Sequence, residues 1–312
     1  MTSQASMKAA ILDELKGATF TVDLTAPGAP LQATSDDVQK VFDYLGVTHV
    51  TLFTGGHSRM DEIPQFPAPR KGFTKEVDSY DPVARFLNTI IRVANNCLGG
   101  PRYLEKLHFD RHEAEMQDKV NSERPLMPDI LGLLCPRKDK KKYSWVDVMT
   151  FIEVKDQEID AVRQLATYAR SHLALDRRRS FSIAIYFNHH KMLFTFCCFH
   201  RSGVSASPQL NLDDEDGFKG VVKYMVGILS IRDEAAFGLD MTRDKNVCRL
   251  NDRDYNIVRT IQSRPSIRGH ATVVYILERK KSSFWLVHTR LTPLHVMPQV
   301  AWISQLVYRL GS

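Results

Sequence analysis

The sequence contains no stretch of about 18 uninterrupted apolar residues, so no segment reads as a membrane-spanning helix. Its N-terminus, MTSQASMKAAILDELKG, lacks the apolar core of a secretory leader and reads as a short amphipathic helix. Cysteine is sparse and odd in number: five residues, Cys97, Cys135, Cys197, Cys198 and Cys248, with no CxxC spacing. That pattern argues against a disulfide framework or a zinc site and reads as buried thiols in a reducing compartment. No internal repeat and no low-complexity tract is present, which excludes repeat architectures. A strong excess of one charge is missing too. The net charge of +6 favours a polyanion such as nucleic acid without requiring one. Hydrophobic residues make up 43% and charged residues 25% of 312 residues, an ordinary balance for a soluble chain able to bury a proper core. These absences predict a soluble intracellular protein, cytoplasmic or nuclear, with no membrane partner.

What is present is a change of hydrophobic period along the chain. Helical spacing runs over Met7–Lys16 and Ser35–Leu45, the second opened by Ser35-Asp36-Asp37. Pro27, Gly28 and Pro30 form a linker between them, and residues Gly55 to Phe73 read as an irregular loop rich in glycine and proline. Asp81-Pro82 starts a helix through Val93. After Pro128 the period shortens. Ile130–Leu134 reads as a buried strand, and the charged run Arg137–Lys142 as a solvated turn. Trp145–Val154 is a second, β-branched strand, and Ile159–Leu175 returns to helical spacing. Phe181–Phe187 and Lys191–Phe199 form a hairpin through Asn188-His189-His190, and Phe218–Ser230 is a helix. The order predicts an α/β fold with a mixed central sheet flanked by helices.

The chemistry sits on the two strands after Pro128. Asp129 opens the first, Glu153 lies near the end of the second, and antiparallel pairing brings the two together. Lys155, two residues beyond Glu153, points to the same side because side chains alternate along a strand. Two carboxylates and a lysine at one sheet edge suit metal-assisted hydrolysis: Mg²⁺ takes one or two carboxylates and completes its shell with water and phosphate oxygens. The Val154 carbonyl is a further candidate ligand.

Pro128-Asp129, followed by Glu153-Val154-Lys155, resembles the PD-(D/E)xK nuclease superfamily. Gln164-Leu165-Ala166-Thr167-Tyr168 fits the QxxxY pattern of its RecB-like branch, with Gln164 and Tyr168 on one helix face. The resemblance implies a restriction-endonuclease-like core over residues 76–242, preceded by a helical and irregular extension over 1–75. It implies a metal-dependent endonuclease acting on DNA, with Asp129, Glu153, Lys155, Gln164 and Tyr168 as the catalytic set. Asp129, Glu153 and Val154 would hold Mg²⁺ or Mn²⁺. The family also leads one to expect an upstream acid, for which Glu76, Asp78 and Asp81 stand equally open.

A second resemblance covers more of the chain. Trp145-Val146-Asp147-Val148, Glu153-Val154-Lys155, Gln164–Arg170, Arg178-Arg179-Ser180-Phe181, Phe199–Val204 and Phe237–Asp240 resemble, in order and spacing, the region before the catalytic domain of the fungal-type protein kinases. Ile267–Thr272 resembles the start of a kinase N-lobe, and Phe284–Val287 its third strand. That implies a kinase N-lobe remnant over 243–312. His288 stands where the ATP-anchoring lysine is expected, and no HRD or DFG follows, so phosphoryl transfer is not expected. The alternative this raises is a non-catalytic nuclease-fold module that regulates a kinase, with a protein partner or a homodimer left open.

The remaining polar groups divide between function and plain structure. Lys140, Lys141 and Lys142, and Arg177, Arg178 and Arg179, are candidate contacts to a DNA backbone. His189-His190 reads as a solvated turn, Cys197-Cys198 as core packing, and Asp213–Asp216 as acids suited to the start of the helix at Phe218.

Overall fold

The computed structural model describes residues 4–26, 28–54, 73–112, 114–118, 126–134, 143–176, 178–241, 247–250, 253–263, 271–279, 283–291 and 303–309. In chain order the elements begin with α1 (Gln4–Leu15), β1 (Thr19–Thr21), α2 (Ser35–Thr54), α3 (Tyr80–Cys97), β2 (His108–Arg111) and β3 (Ile130–Leu133). They continue with β4 (Val148–Lys155), α4 (Glu158–Leu175), β5 (Phe181–Asn188), β6 (Leu193–His200), β7 (Gly203–Ala206), β8 (Leu210–Asn211) and α5 (Glu215–Leu229). Five further strands follow: β9 (Val247–Leu250), β10 (Arg253–Ser263), β11 (Ala271–Arg279), β12 (Ser283–Leu291) and β13 (Ile303–Arg309).

Strand β4, VMTFIEVK, is buried at every position but the last. A strand buried on both faces must lie inside a sheet covered twice, and that is its place. The first sheet has eight strands in the order β1-β7-β6-β5-β4-β3-β2, with β8 pairing β6 off this path. Strands β4 and β5 are parallel and joined by α4, whereas β3–β4, β5–β6 and β6–β7 are antiparallel. The mixed sheet flanked by helices is thus as the sequence predicted.

Alternation along β4 divides the core in two. Met149, Ile152 and Val154 join the cluster built with α2, α3 and α5. Val148 and Phe151 join the cluster that holds Leu165, Ala166 and Tyr168 of α4 and Ile11 of α1. Edge strand β2 is fixed by Asn88 of α3, whose side chain donates to the Phe109 carbonyl and accepts from the Phe109 N–H, both at 2.8 Å. Gly132 of β3 has to be glycine for space: a Cβ there would lie 2.4 Å from Thr150 Cγ2 on the next strand.

Helix α5 starts on Asp214, whose carboxylate accepts from the Gly217 N–H at 2.6 Å, with Glu215 and Asp216 in its first turn. The acids of 213–216 thus serve the helix terminus. Asp214→Ala should cost about 1 kcal/mol, read as a lower midpoint in urea at unchanged slope.

Trp145–Asp147, expected to extend the second strand, form a 3₁₀ turn instead, because Ser144 and Asp147 close a capping box around it. His189 is only 5% exposed, so the solvated turn expected for His189-His190 is half wrong. His190 is exposed, and its ring stacks at 4.1 Å on that of His189, whose carbonyl accepts from the Phe73 N–H. Cys197 and Cys198 are buried as expected.

The five remaining strands form a separate antiparallel sheet in the order β13-β12-β11-β10-β9, in which His288 of β12 pairs with Val274 and Leu306. Among the described residues no helix is long and apolar enough to cross a membrane.

Candidate functional site

The β3–β4 register pairs Ile130 with Ile152, so one step outward Asp129 stands opposite Glu153. Asp129 Oδ2 accepts from the Val154 N–H at 2.8 Å, which locks the carboxylate across the strand pair. Val154 therefore enters the site through its N–H. Glu153 is 0% exposed, and the Lys155 ammonium and the Tyr168 hydroxyl are its polar neighbours, in poor hydrogen-bond geometry. Lys155 Nζ lies 3.1 Å from Glu153 Oε1, close enough for the charges to pair. A buried carboxylate so poorly served by its neighbours is costly, and its presence calls for a reason.

A third acid joins from outside the sheet. Glu76, in the 3₁₀ turn Glu76–Ser79 ahead of α3, accepts from Lys155 Nζ at 2.7 Å. Tyr80, one turn later, places its hydroxyl 2.8 Å from Glu76 Oε1 and 2.8 Å from Asp129 Oδ1. A phenol carries one proton and donates to only one of them at a time. Of the three upstream acids left open by the sequence, the structure selects Glu76: Asp78 is exposed, and Asp81 pairs with Arg111 at 3.2 Å. Tyr80 was not anticipated. Its signal was the four-residue spacing from Glu76, the spacing that also separates Gln164 from Tyr168.

Gln164 and Tyr168 meet as their spacing predicts, Gln164 Nε2 donating to the Tyr168 hydroxyl at 2.6 Å. The hydroxyl in turn donates to the Met127 carbonyl at 3.0 Å. The pair thereby fixes the backbone two residues before Asp129, while the Tyr168 ring packs on Trp145 and Phe151.

The electrostatics follow from burial. Desolvation pushes the Glu153 carboxyl well above the usual carboxylate range, the Asp129 charge adds to the push, and Lys155 opposes it. Asp129 is also raised, by burial, against the hydrogen bonds from Val154 and Tyr80. Burial alone would discharge Lys155, but Glu153 together with Glu76 and Asp129 outweighs it and holds the ammonium above the usual lysine value. Among the described residues no group of three or more His, Cys, Asp or Glu side chains is arranged to hold a metal ion. Two carboxylates nonetheless suffice for a hydrated Mg²⁺, and the buried Glu153 carboxylate is a hard oxygen donor of the kind such an ion takes.

Of the basic residues expected to touch DNA, Arg178 and Arg179 are among the described residues. Lys140, Lys141, Lys142 and Arg177 fall outside the described residues. Arg179 is 1% exposed, with its guanidinium 4.8 Å from the Phe237 ring centroid and 3.6 Å from Asp176, so it faces the interior and not a phosphate backbone. Arg178 Nε pairs with Asp176 at 3.3 Å. Both follow the C-terminus of α4, about 27 Å along an 18-residue helix from the end that adjoins Lys155.

No curated protein and no solved structure is significantly similar to the chain. A family model described as fungal protein kinase matches residues 130–290, just over half of the sequence. The match opens at the first residue of β3 and takes in Glu153, Lys155, Gln164 and Tyr168 before ending two residues past His288. The match covers β3 to α5 of the α/β core and β9 to β11 of the second sheet, and over that span the chain belongs to the fungal protein kinase family.

Proposed function

We propose that the α/β core is a metal-dependent nuclease of the PD-(D/E)xK type, cleaving phosphodiester bonds in DNA. One observation carries the reading: a fully buried Glu153 carboxylate directly opposite Asp129 and beside Lys155. Asp129 and Glu153 would hold Mg²⁺ or Mn²⁺. The ion supplies a Lewis acid for the charge that develops on the phosphate. Lys155 orients the attacking water and balances the added negative charge. Gln164 and Tyr168 keep the segment 127–129 in place, so that Asp129 meets Glu153 without a search. The experiment is cleavage of supercoiled plasmid with Mg²⁺ or Mn²⁺. Cutting should stop with EDTA and fall below detection in Asp129→Ala, Glu153→Ala and Lys155→Ala; retained cutting in any two of these variants would sink the assignment.

A second reading is a non-catalytic module that regulates a kinase lobe, and one observation favours it. Close in sequence to Glu76 and Lys155 stand the exposed acids Asp78, Asp81, Asp156, Glu158 and Asp160, charges that repel a polyanion. Well-folded protein that neither cuts DNA nor binds Mn²⁺ would decide for that module. Neither reading includes phosphoryl transfer by this chain, given His288 at the place of the ATP-anchoring lysine.

A further inference from the structure

We propose that Tyr80 is a positioning residue of this site, holding Asp129 and Glu76 in the arrangement in which the carboxylates receive a divalent cation. The inference rests on the nuclease reading for the use of the site, but its geometry stands apart from it. The polar groups form a chain: Asp129 Oδ1 to the Tyr80 hydroxyl, Tyr80 to Glu76, Glu76 to Lys155, and Lys155 to Glu153, which faces Asp129 across the strand pair. Tyr80 is the one uncharged link.

When its one proton goes to Asp129 Oδ1, the Tyr80 hydroxyl holds one oxygen of that carboxylate while the Val154 N–H holds the other, which restricts its rotation. Each oxygen still keeps a lone pair for a cation. The ring itself cannot swing away. It is 8% exposed, begins helix α3, and lies with the Arg111 guanidinium carbon 5.7 Å from its centroid. Arg111 is anchored in turn by Asp81 at 3.2 Å. An outer partner that orients a ligating carboxylate in this way is worth about 10–100-fold in metal affinity.

The test is Tyr80→Phe, which removes one oxygen and keeps the ring. Mn²⁺ affinity measured by calorimetry on the full chain should weaken about tenfold, while the melting temperature in EDTA stays near that of the unaltered protein. Asp81→Asn serves as the companion variant. It loosens Arg111 over the ring without touching the hydroxyl, and should leave Mn²⁺ affinity unchanged. Equal affinity in Tyr80→Phe and the unaltered protein would overturn the proposal. So would an equal loss in Asp81→Asn, which would assign the effect to packing. If the unaltered protein binds no Mn²⁺, the nuclease reading falls and the positioning role falls with it. If it binds Mn²⁺ but cuts no DNA, only the nuclease reading falls.

Discussion

Glu153→Gln should melt higher than the unaltered protein in EDTA at pH 8, by about 1–2 kcal/mol of stability, and should cut no DNA. The side chain keeps its length and loses only its charge. In the native chain that charge is fully buried and set opposite Asp129. The sign with pH is fixed by the direction of the shift. The folded carboxyl titrates well above its ordinary value of 4.5, so between 4.5 and the folded pKa the unfolded chain has given up the proton and the folded chain has not. Stability then falls as pH rises through that window, and glutamine abolishes the fall. The gain should therefore be small near pH 4 and full at pH 8, as read by thermal melts at both. An ordinary structural ion pair would behave in the opposite way, with glutamine lowering the melting temperature at pH 8. That outcome would remove the main argument for a functional site at Glu153.

Much of this site could be read from the sequence because it lies on regular elements. Period-two alternation put Glu153 and Lys155 on one side of a strand, and the four-residue spacing of Gln164 and Tyr168 put them on one helix face; the structure has both arrangements. Helices α1, α3, α4 and α5 and strands β3, β4, β5 and β6 emerged within a few residues of their bounds, whereas α2 runs to Thr54, nine residues past its expected end at Leu45. Three kinds of feature did not. Short edge strands such as β1, β2 and β8 carry too few residues for a periodic signal, and β2 is held by the tertiary contact of Asn88. Glu76 and Tyr80 come from a turn and a helix start about 50 residues upstream of Asp129, and no local pattern records a contact over that distance.

The expectation for Arg179 fails for a different reason. A cluster such as Arg177-Arg178-Arg179 reads as surface because charge is usually solvated. Arg179 is instead stacked against Phe237, and Asp176 is buried with it. Only the chain's later return through Phe237–Asp240, which pairs Leu239 with Arg179, covers that side chain.

Lys155→Met should lower stability by about 3–5 kcal/mol in EDTA, because it removes the cation that, among the described residues, pairs with Glu153 and Glu76 and leaves them uncompensated. Lys155 is 23% exposed and Glu153 not at all, so the larger part of the loss belongs to Glu153. Deprived of its counter-charge, Glu153 is pushed further upward. The deficit should accordingly grow as pH rises above 4.5, in the same sense as above and over a wider window. Combining the methionine with Glu153→Gln should recover most of the lost stability, since the group left unpaired is then neutral. The two substitutions share one interaction and their effects should not add. A divalent ion offers a second way back. If Asp129 and Glu153 hold one, Mn²⁺ at 100 times its dissociation constant should return about 2.7 kcal/mol. Recovery by the glutamine but not by Mn²⁺ would mean that Lys155 and Glu153 are a structural pair only. Recovery by both would mean that the ammonium fills, in the resting chain, the place of the cation the carboxylates were built to receive.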